Sequence, residues 1–395
     1  MRRICVILFI LKICINVNAQ SLQVESSVYD SDTKLPLSGA HIYTNGKIGT
    51  ISNSVGNFSF CAPTGDAPIN ISYLGYEPLM IKANEIPSKV FLKPIAYDIK
   101  PAFILAIDKY KFVTDLYKRH KNLAKKSKKI MGYYFYRQTT MEYGKCNEIV
   151  EAILNASADF SLKIASVIKG RFAALPSDSS IVYTSYTNFY LFSQISYVNP
   201  YKTKKNQGIM PLSENSLDYY DIDIDLLSTE NNNEIYVIHF TPKFESIKLI
   251  KSELYVNPDD LTVLRYCVEL PYTTVDSHSK QESHGIAHYT MNLDNSQSVP
   301  TVLSITVSTT YENPNAKNKD DYISVTSLLV RMNQDIKIKG KKKLNGQNSL
   351  LREIYDMEDD AEFWRNNQII KRTPLEESTL KMFEEKNLIG NYEIN

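Results

Sequence analysis

The sequence predicts a mainly β, antiparallel protein: a small sandwich, an amphipathic helical connector, then a long curved sheet with a C-terminal helix. Three observations predict it. Tyrosine occurs 27 times in 395 residues against 14 glycines and one tryptophan, and tyrosine suits half-buried strands with one wetted face. Apolar runs recur about every eight to twelve residues between turn signals over the first part of the chain. After one interval of three-or-four spacing, period-two alternation returns near residue 131 and persists. Lys plus Arg number 45 against 44 Asp plus Glu, so no excess of positive charge points to nucleic acid as a partner.

Residues 1–19, "MRRICVILFILKICINVNA", place Arg2 and Arg3 before an apolar stretch broken by Lys12, then Val17-Asn18-Ala19 as a small-residue cleavage pattern. A cleaved signal peptide is expected, with export to the periplasm or the outer membrane. The apolar stretch is shorter than the roughly 20 residues of a spanning helix, and nothing after residue 20 reads as one. Acylation is disfavoured because Cys14 follows Ile13 rather than a small residue. Cleavage leaves Cys61, Cys146 and Cys267, too few and too far apart for a disulfide framework or a zinc pattern. Buried structural thiols are expected.

Residues 20–97 follow as the sandwich. In "GTISNSVGNFSF", Gly56 and Asn57 offer the positive φ of a tight turn, so that Phe58 and Phe60 alternate into a core. In "INISYLGYEP", Gly75 sits inside a strand-like pattern, where a bulge is expected. Together with "LPLSGAHIY", these stretches resemble the carboxypeptidase-regulatory-like domain over about residues 21–93. The resemblance implies a transthyretin-like seven-stranded sandwich, as found at the N-termini of Bacteroidetes envelope proteins. Ser54-Val55 departs from the family, which usually carries an acidic residue before the glycine turn. Such modules accompany transporters, peptidases and adhesins alike, so the likeness implies place and architecture rather than activity.

Residues 98–130 form the connector. Phe103, Ile107, Tyr110, Val113, Tyr117, His120 and Ala124 share one helical stripe. The basic end, "YKRHKNLAKKSKK", suits a helix C-terminus, and contact with anionic lipid headgroups is the functional alternative.

Residues 131–345 read as an antiparallel meander. "MGYYFYRQTTMEY" and "NEIVEAILNASADF" flank a turn at Gly144-Lys145, and "NPDD" joins two alternating runs near residue 260. So long a sheet must curl, which predicts a half-barrel with the helix against its concave side. In "LYVNPDDLTVLRYCVEL", Leu264, Tyr266 and Val268 share the parity expected inward, leaving Arg265 outward. Residues 346–395 form a helical segment with a helix near 374–387. "YYFYRQTTMEY", "YVIHFTP", "SELYVNPDDLTVLRYCVEL" and the terminal segment resemble the region after the same sandwich in uncharacterised Bacteroidetes outer-membrane proteins. Their sheet is similar to the half-barrel of lipoprotein carriers. Those proteins often continue into a membrane β-barrel, whereas the present sequence runs to Asn395, so no channel is expected.

Two constellations merit weighing as metal sites. His278, His284 and His288 fall on one side of a strand, a geometry open to a transition metal, but without HExxH or a carboxylate-rich companion. Asp221, Asp223 and Asp225 suggest calcium, yet Leu226 and Asn232 stand where the EF-hand loop needs Gly and Glu. A solvated loop and strand, and the exposed face of a strand, explain them better. No H-x-x-E zinc motif, nucleophile elbow, P-loop or dinucleotide fingerprint is present. The expectation is therefore no catalytic residue, no cofactor and no metal. The protein should bind or scaffold in the cell envelope, with a lipid, lipoprotein, glycan or outer-membrane component as partner. The alternative is a secreted hydrolase with its site in the C-terminal β domain.

Overall fold

The computed structural model describes residues 21–44, 47–95, 108–126, 131–142, 144–157, 160, 162–175, 192, 195–201, 210–228, 234–246, 249–275, 282–295, 299–312, 322–332, 342–343, 353–354, 357–366 and 369–390. The expected signal peptide lies outside them. The chain divides into two compact units, Met1–Pro94 with Gln368–Thr373, and Ile95–Asn367 with Pro374–Asn395.

The described residues of the first unit form seven strands in two sheets, ordered β4-β1-β7 and β3-β2-β5-β6. They are β1 (Leu22–Asp30), β2 (His41–Thr44), β3 (Lys47–Ile51), β4 (Asn57–Ala62), β5 (Pro68–Ser72), β6 (Leu79–Lys82) and β7 (Val90–Leu92). β1 pairs antiparallel with β4 and parallel with β7. The alternation of β1 sends Val24 and Val28 inward, where they meet Ile42, Phe58, Phe60, Ile69, Ile71, Val90 and Leu92. Gly56 has φ +80°, and a Cβ there would fall 2.5 Å from the Val28 carbonyl oxygen, so the turn before β4 admits only glycine without strain. Gly75, at φ +94°, lies in the turn between β5 and β6 and not in a strand bulge. The apolar residues around it continue on both sides of the turn, which concealed the break.

The second unit is built on one curved antiparallel sheet, ordered β11-β12-β13-β14-β15-β16-β17-β8-β9-β10-β18. Its strands are β8 (Met131–Glu142), β9 (Lys145–Ser157), β10 (Lys163–Ala174), β11 (Tyr220–Ser228), β12 (Glu234–Pro242), β13 (Lys251–Asn257), β14 (Thr262–Val275), β15 (Glu282–Asp294), β16 (Thr301–Glu312), β17 (Tyr322–Met332) and the two-residue edge β18 (Lys342–Lys343). β17 pairs with β8, so the last long strand of the meander returns to the first. Among the described residues no pairing joins β11 to β18, and the sheet is not a closed barrel.

Helix α1 (Lys109–Lys126) is capped by Asp108, whose carboxylate accepts from the amides of Tyr110 and Lys111. It buries Val113, Leu116, Tyr117 and His120 in the core on one face of the sheet. Tyr110 is exposed instead, and Leu116 takes its place in the stripe; Phe103 and Ile107 lie outside the described residues. Helices α2 (Ala361–Asn366) and α3 (Pro374–Glu385) come from the C-terminal segment, and α3 buries Leu380 and Phe383 against Ile149 and Ala173. Those two strand residues have the parity opposite to Val150 and Phe172 of the α1-side core. β8 and β9 are consequently buried on both faces. Among the described residues no helix is long and apolar enough to cross a membrane.

Candidate functional site

The inner face, packed against α1, is assembled by register. One transverse row places Ile222, Phe240, Ser252, Val268, Tyr289, Val307, Ser327, Gln138, Val150 and Phe172 side by side, one from each successive strand. The neighbouring row contains Leu254, Tyr266, Met291, Ile305, Leu329, Tyr136 and Ala152. Eleven of these seventeen are purely apolar, and hydroxyls enter only through Ser252, Ser327, Tyr136, Tyr266 and Tyr289.

Tyr266 and Tyr289 are fully buried, with ring centroids 6.4 Å apart, and Tyr197 lies 6.1 Å from Tyr266 on the other side. Among the described residues neither Tyr266 Oη nor Tyr289 Oη has a hydrogen-bond partner. Ser252 Oγ lies beside Tyr266 Oη but falls short of hydrogen-bond geometry, and has no other partner. Burial raises the pKa of all three tyrosines, so each hydroxyl is a neutral donor and acceptor at any ordinary pH. His120 meets this layer from α1: Nδ1 is 3.3 Å from Tyr197 Oη and Nε2 is 2.9 Å from the Leu261 carbonyl oxygen. Desolvation holds the His120 pKa down at about 4, with the charge of Arg119 adding to the effect, so the imidazole is neutral and Nε2 donates to Leu261. The layer therefore offers uncharged hydrogen-bonding groups inside an apolar surround.

A second polar group sits farther along the same face. Tyr136 Oη and Ser327 Oγ donate to Gln138 Oε1 at 2.8 and 2.9 Å, while Gln138 Nε2 and Thr140 Oγ1 donate to Glu148 Oε1 at 3.1 and 3.2 Å. Gln138, Thr140 and Glu148 are fully buried.

The opposite face carries charge. Arg137, Glu151 and Arg171 stand opposite one another on β8, β9 and β10. Arg137 Nε donates to Glu151 Oε1 at 2.8 Å, and Arg171 Nε and Nη2 donate to Glu151 Oε2 at 2.9 and 2.5 Å. The Trp364 ring of α2 covers the Arg171 guanidinium at 5.0 Å, and Glu376 of α3 stands 3.8 Å from Arg137 Nη1. This cluster is paired and covered, which suits a structural role.

Asp221, Asp223 and Asp225 project from the exposed face of β11 with Ile222 turned inward. Asp223 pairs with Lys109 at 3.1 Å and Asp225 with His239 at 3.0 Å. His284 and His288 lie on the exposed face of β15, and His278 lies outside the described residues. Among the described residues no group of three His, Cys, Asp or Glu side chains has a metal-holding arrangement. Cys146 is buried and its thiol is pushed up to about 12 by desolvation, whereas Cys61 is exposed, contrary to the expected burial, because position 61 of β4 points away from the core that Phe60 and Ala62 enter. Neither the tyrosine layer nor Glu148 carries a motif. Each sits in an ordinary alternating strand, and only cross-strand pairing brings its neighbours together.

The CarboxypepD_reg-like domain family matches residues 25–93. No curated protein sequence matches the chain. Among solved structures, a DUF1329 family protein from Desulfovibrio piger aligns with 59% of this chain and 95% of its own, at 13% identity and a TM-score of 0.26. A LolA superfamily protein from Nitrosomonas europaea aligns over 59% and 94%, at 11% identity and 0.23. The Pseudomonas aeruginosa MucA/MucB complex aligns over 56% and 94%, at 9% identity and 0.17. Scores at this level do not establish a common fold.

Proposed function

We propose that this is an exported, non-catalytic envelope protein whose C-terminal sheet binds an apolar molecule carrying a hydrogen-bonding oxygen, such as a neutral acyl ester. One observation carries the reading: the hydroxyls of Tyr266 and Tyr289 are buried in the inner face with no partner among the described residues. A hydroxyl left unpaired away from water costs about 1–3 kcal/mol, so native proteins rarely keep two side by side. A ligand oxygen would satisfy them. A lipid suits the surround better than a glycan, because the rows beside these tyrosines are formed by Val268, Met291, Leu254 and Ile305. The CarboxypepD_reg-like match over residues 25–93, a domain whose likeness implies envelope proteins, and the expected leader with Arg2-Arg3 support the location.

The test uses the full chain with diacylglycerol, phosphatidylethanolamine and a neutral oligosaccharide, followed by thermal unfolding. A ligand that binds only the folded state raises the melting temperature. Diacylglycerol is expected to do so, and the oligosaccharide is not. The double variant Tyr266→Phe, Tyr289→Phe should unfold at an equal or higher temperature without ligand and lose most of the shift with it. No shift from either lipid, or an unchanged shift in the double variant, would refute the reading.

A further inference from the structure

Residues 369–373 belong to the first unit although they are remote from it in sequence, and side chains of Thr50, Asn53 and Glu25 of the sandwich reach them. Thr50 Oγ1 of β3 donates to the Ile369 carbonyl at 2.7 Å, and Asn53 Nδ2 donates to the Lys371 carbonyl at 3.0 Å. Those carbonyls are two residues apart, the spacing at which a chain presents successive groups to one side. Between them Ile370 is fully buried. Lys371 Nζ reaches Glu25 of β1 at 2.7 Å.

The receiving side is built independently of the segment. Asn53 Oδ1 accepts from the amides of Val55 and Asn57, which orients Nδ2 outward from the Gly56 turn toward the incoming carbonyl. With the segment in place Thr50 and Asn53 are only 1% and 5% exposed, and its carbonyls pair these otherwise buried polar groups. We infer that this edge of the sandwich, around Thr50, Asn53 and Glu25, is a peptide-binding site, occupied in cis by residues 369–373. Its ligand is a chain segment with a branched apolar residue followed by a basic one. Ile370 supplies the larger share of the affinity, because a fully buried branched side chain outweighs an ion pair whose side chains remain 28% and 56% exposed. The site is independent of the lipid reading above.

The experiment replaces residues 369–373 by a Gly/Ser linker in the otherwise intact chain and adds a labelled synthetic peptide spanning residues 366–376, read by fluorescence anisotropy. Saturable binding to the linker variant is expected, with binding to the wild type at least about tenfold weaker because its own segment competes at high effective concentration. Within the peptide, Ile370→Ala should weaken binding by about tenfold or more, and Lys371→Ala by less than about threefold. Adding Asn53→Ala to the linker variant should also weaken it. Hydrogen exchange on the wild type and on Thr50→Ala, Asn53→Ala gives a second readout that needs no deletion. The amides of 369–373 should exchange at least about tenfold faster in the variant while those of β5 do not change. Equal binding of a scrambled peptide, no binding by a folded linker variant, or unchanged exchange would overturn the inference. A wild-type dimer that exchanges this segment between copies would overturn its assignment in cis.

Discussion

His120 is the residue whose protonation the fold opposes most clearly. Its ring contacts are Tyr197 and Phe160, its hydrogen bonds run to Tyr197 and the Leu261 carbonyl, and its charged neighbour Arg119 repels a proton. The folded value of about 4 lies below the ordinary 6.5, so between those limits the unfolded chain binds the extra proton. Stability from this group is therefore complete above pH 6.5 and is lost as pH falls toward 4, by about 3 kcal/mol at most. His239 acts in the other direction. Glu253 and Asp225 raise its pKa, so its smaller, partly screened contribution is lost as pH rises through the folded value. Urea unfolding of wild type and His120→Gln at pH 7 and pH 4.5 checks the first claim. The variant should be less stable at pH 7 and lose distinctly less on acidification; parallel pH profiles would refute it. At this scale the sequence was only partly informative. His120 was visible in the helical stripe, but its partners at residues 197 and 261 were not, since contacts across the fold leave no local period.

Among the elements, the adjacent strands β8, β9 and β10, toward the β18 end of the sheet, have both faces covered. Their outer face brings two guanidinium groups onto one carboxylate, with Arg137 4% exposed, Arg171 6% and Glu151 fully buried. Removing the shared partner is worse than neutralising its neighbour. Glu151→Ala leaves two buried cations facing each other and should cost about 3–5 kcal/mol, whereas Glu376→Gln, whose carboxylate is only 3.8 Å from Arg137 and mostly buried, should cost distinctly less, about 1–2 kcal/mol. Chemical denaturation of both variants decides this, and similar losses would show that the cluster is not closed as described. The sheet's other edge uses charge differently. Among the described strands β11 is an edge, and Asp221, Asp223 and Asp225 along its exposed face discourage pairing with another chain. That use accounts for the aspartate alternation without calcium. Strand period and the Gly144 turn were legible from residue order alone. The outer cover of β8 and β9 was not, because a strand buried on both faces loses the alternation that marks a wetted side.

For the whole second unit, the inner face of the sheet is the main core, and β14 shows how its register was decided. The expected inward set was Leu264, Tyr266 and Val268, but Val263 is buried and Leu264 is not. Tyr255 pairs with Arg265 while Val256 pairs with Val263, so a bulge at Leu264 reverses the parity of the strand's first residues. Tyr266 and Val268 do face the core, and Arg265 turns to the other face, where it donates to Asn292 at 2.8 Å. Tyr266→Asp should thus unfold the second unit or cost at least about 3 kcal/mol, since it buries a charge among apolar rows. Arg265→Glu should stay within roughly 1 kcal/mol. Equal melting temperatures for both variants and wild type would contradict the inner-face assignment.

What the sequence by itself determined is what local chemistry can encode. Turn residues, strand alternation and one helical stripe were enough to separate the sandwich from the meander, and to place Phe58, Phe60, Tyr266, Val268 and the helix that covers the sheet. Tertiary structure alone decided which distant residues meet. The pairing of β17 with β8, the bulge at Leu264, the triad of Arg137, Glu151 and Arg171, and the return of residues 369–373 to Thr50 and Asn53 each join positions that carry no periodic signal toward one another. The physical reason is that periodicity reports which side of an element is buried, whereas a site depends on register between elements, and one bulge or one crossing segment resets that register without altering the local pattern.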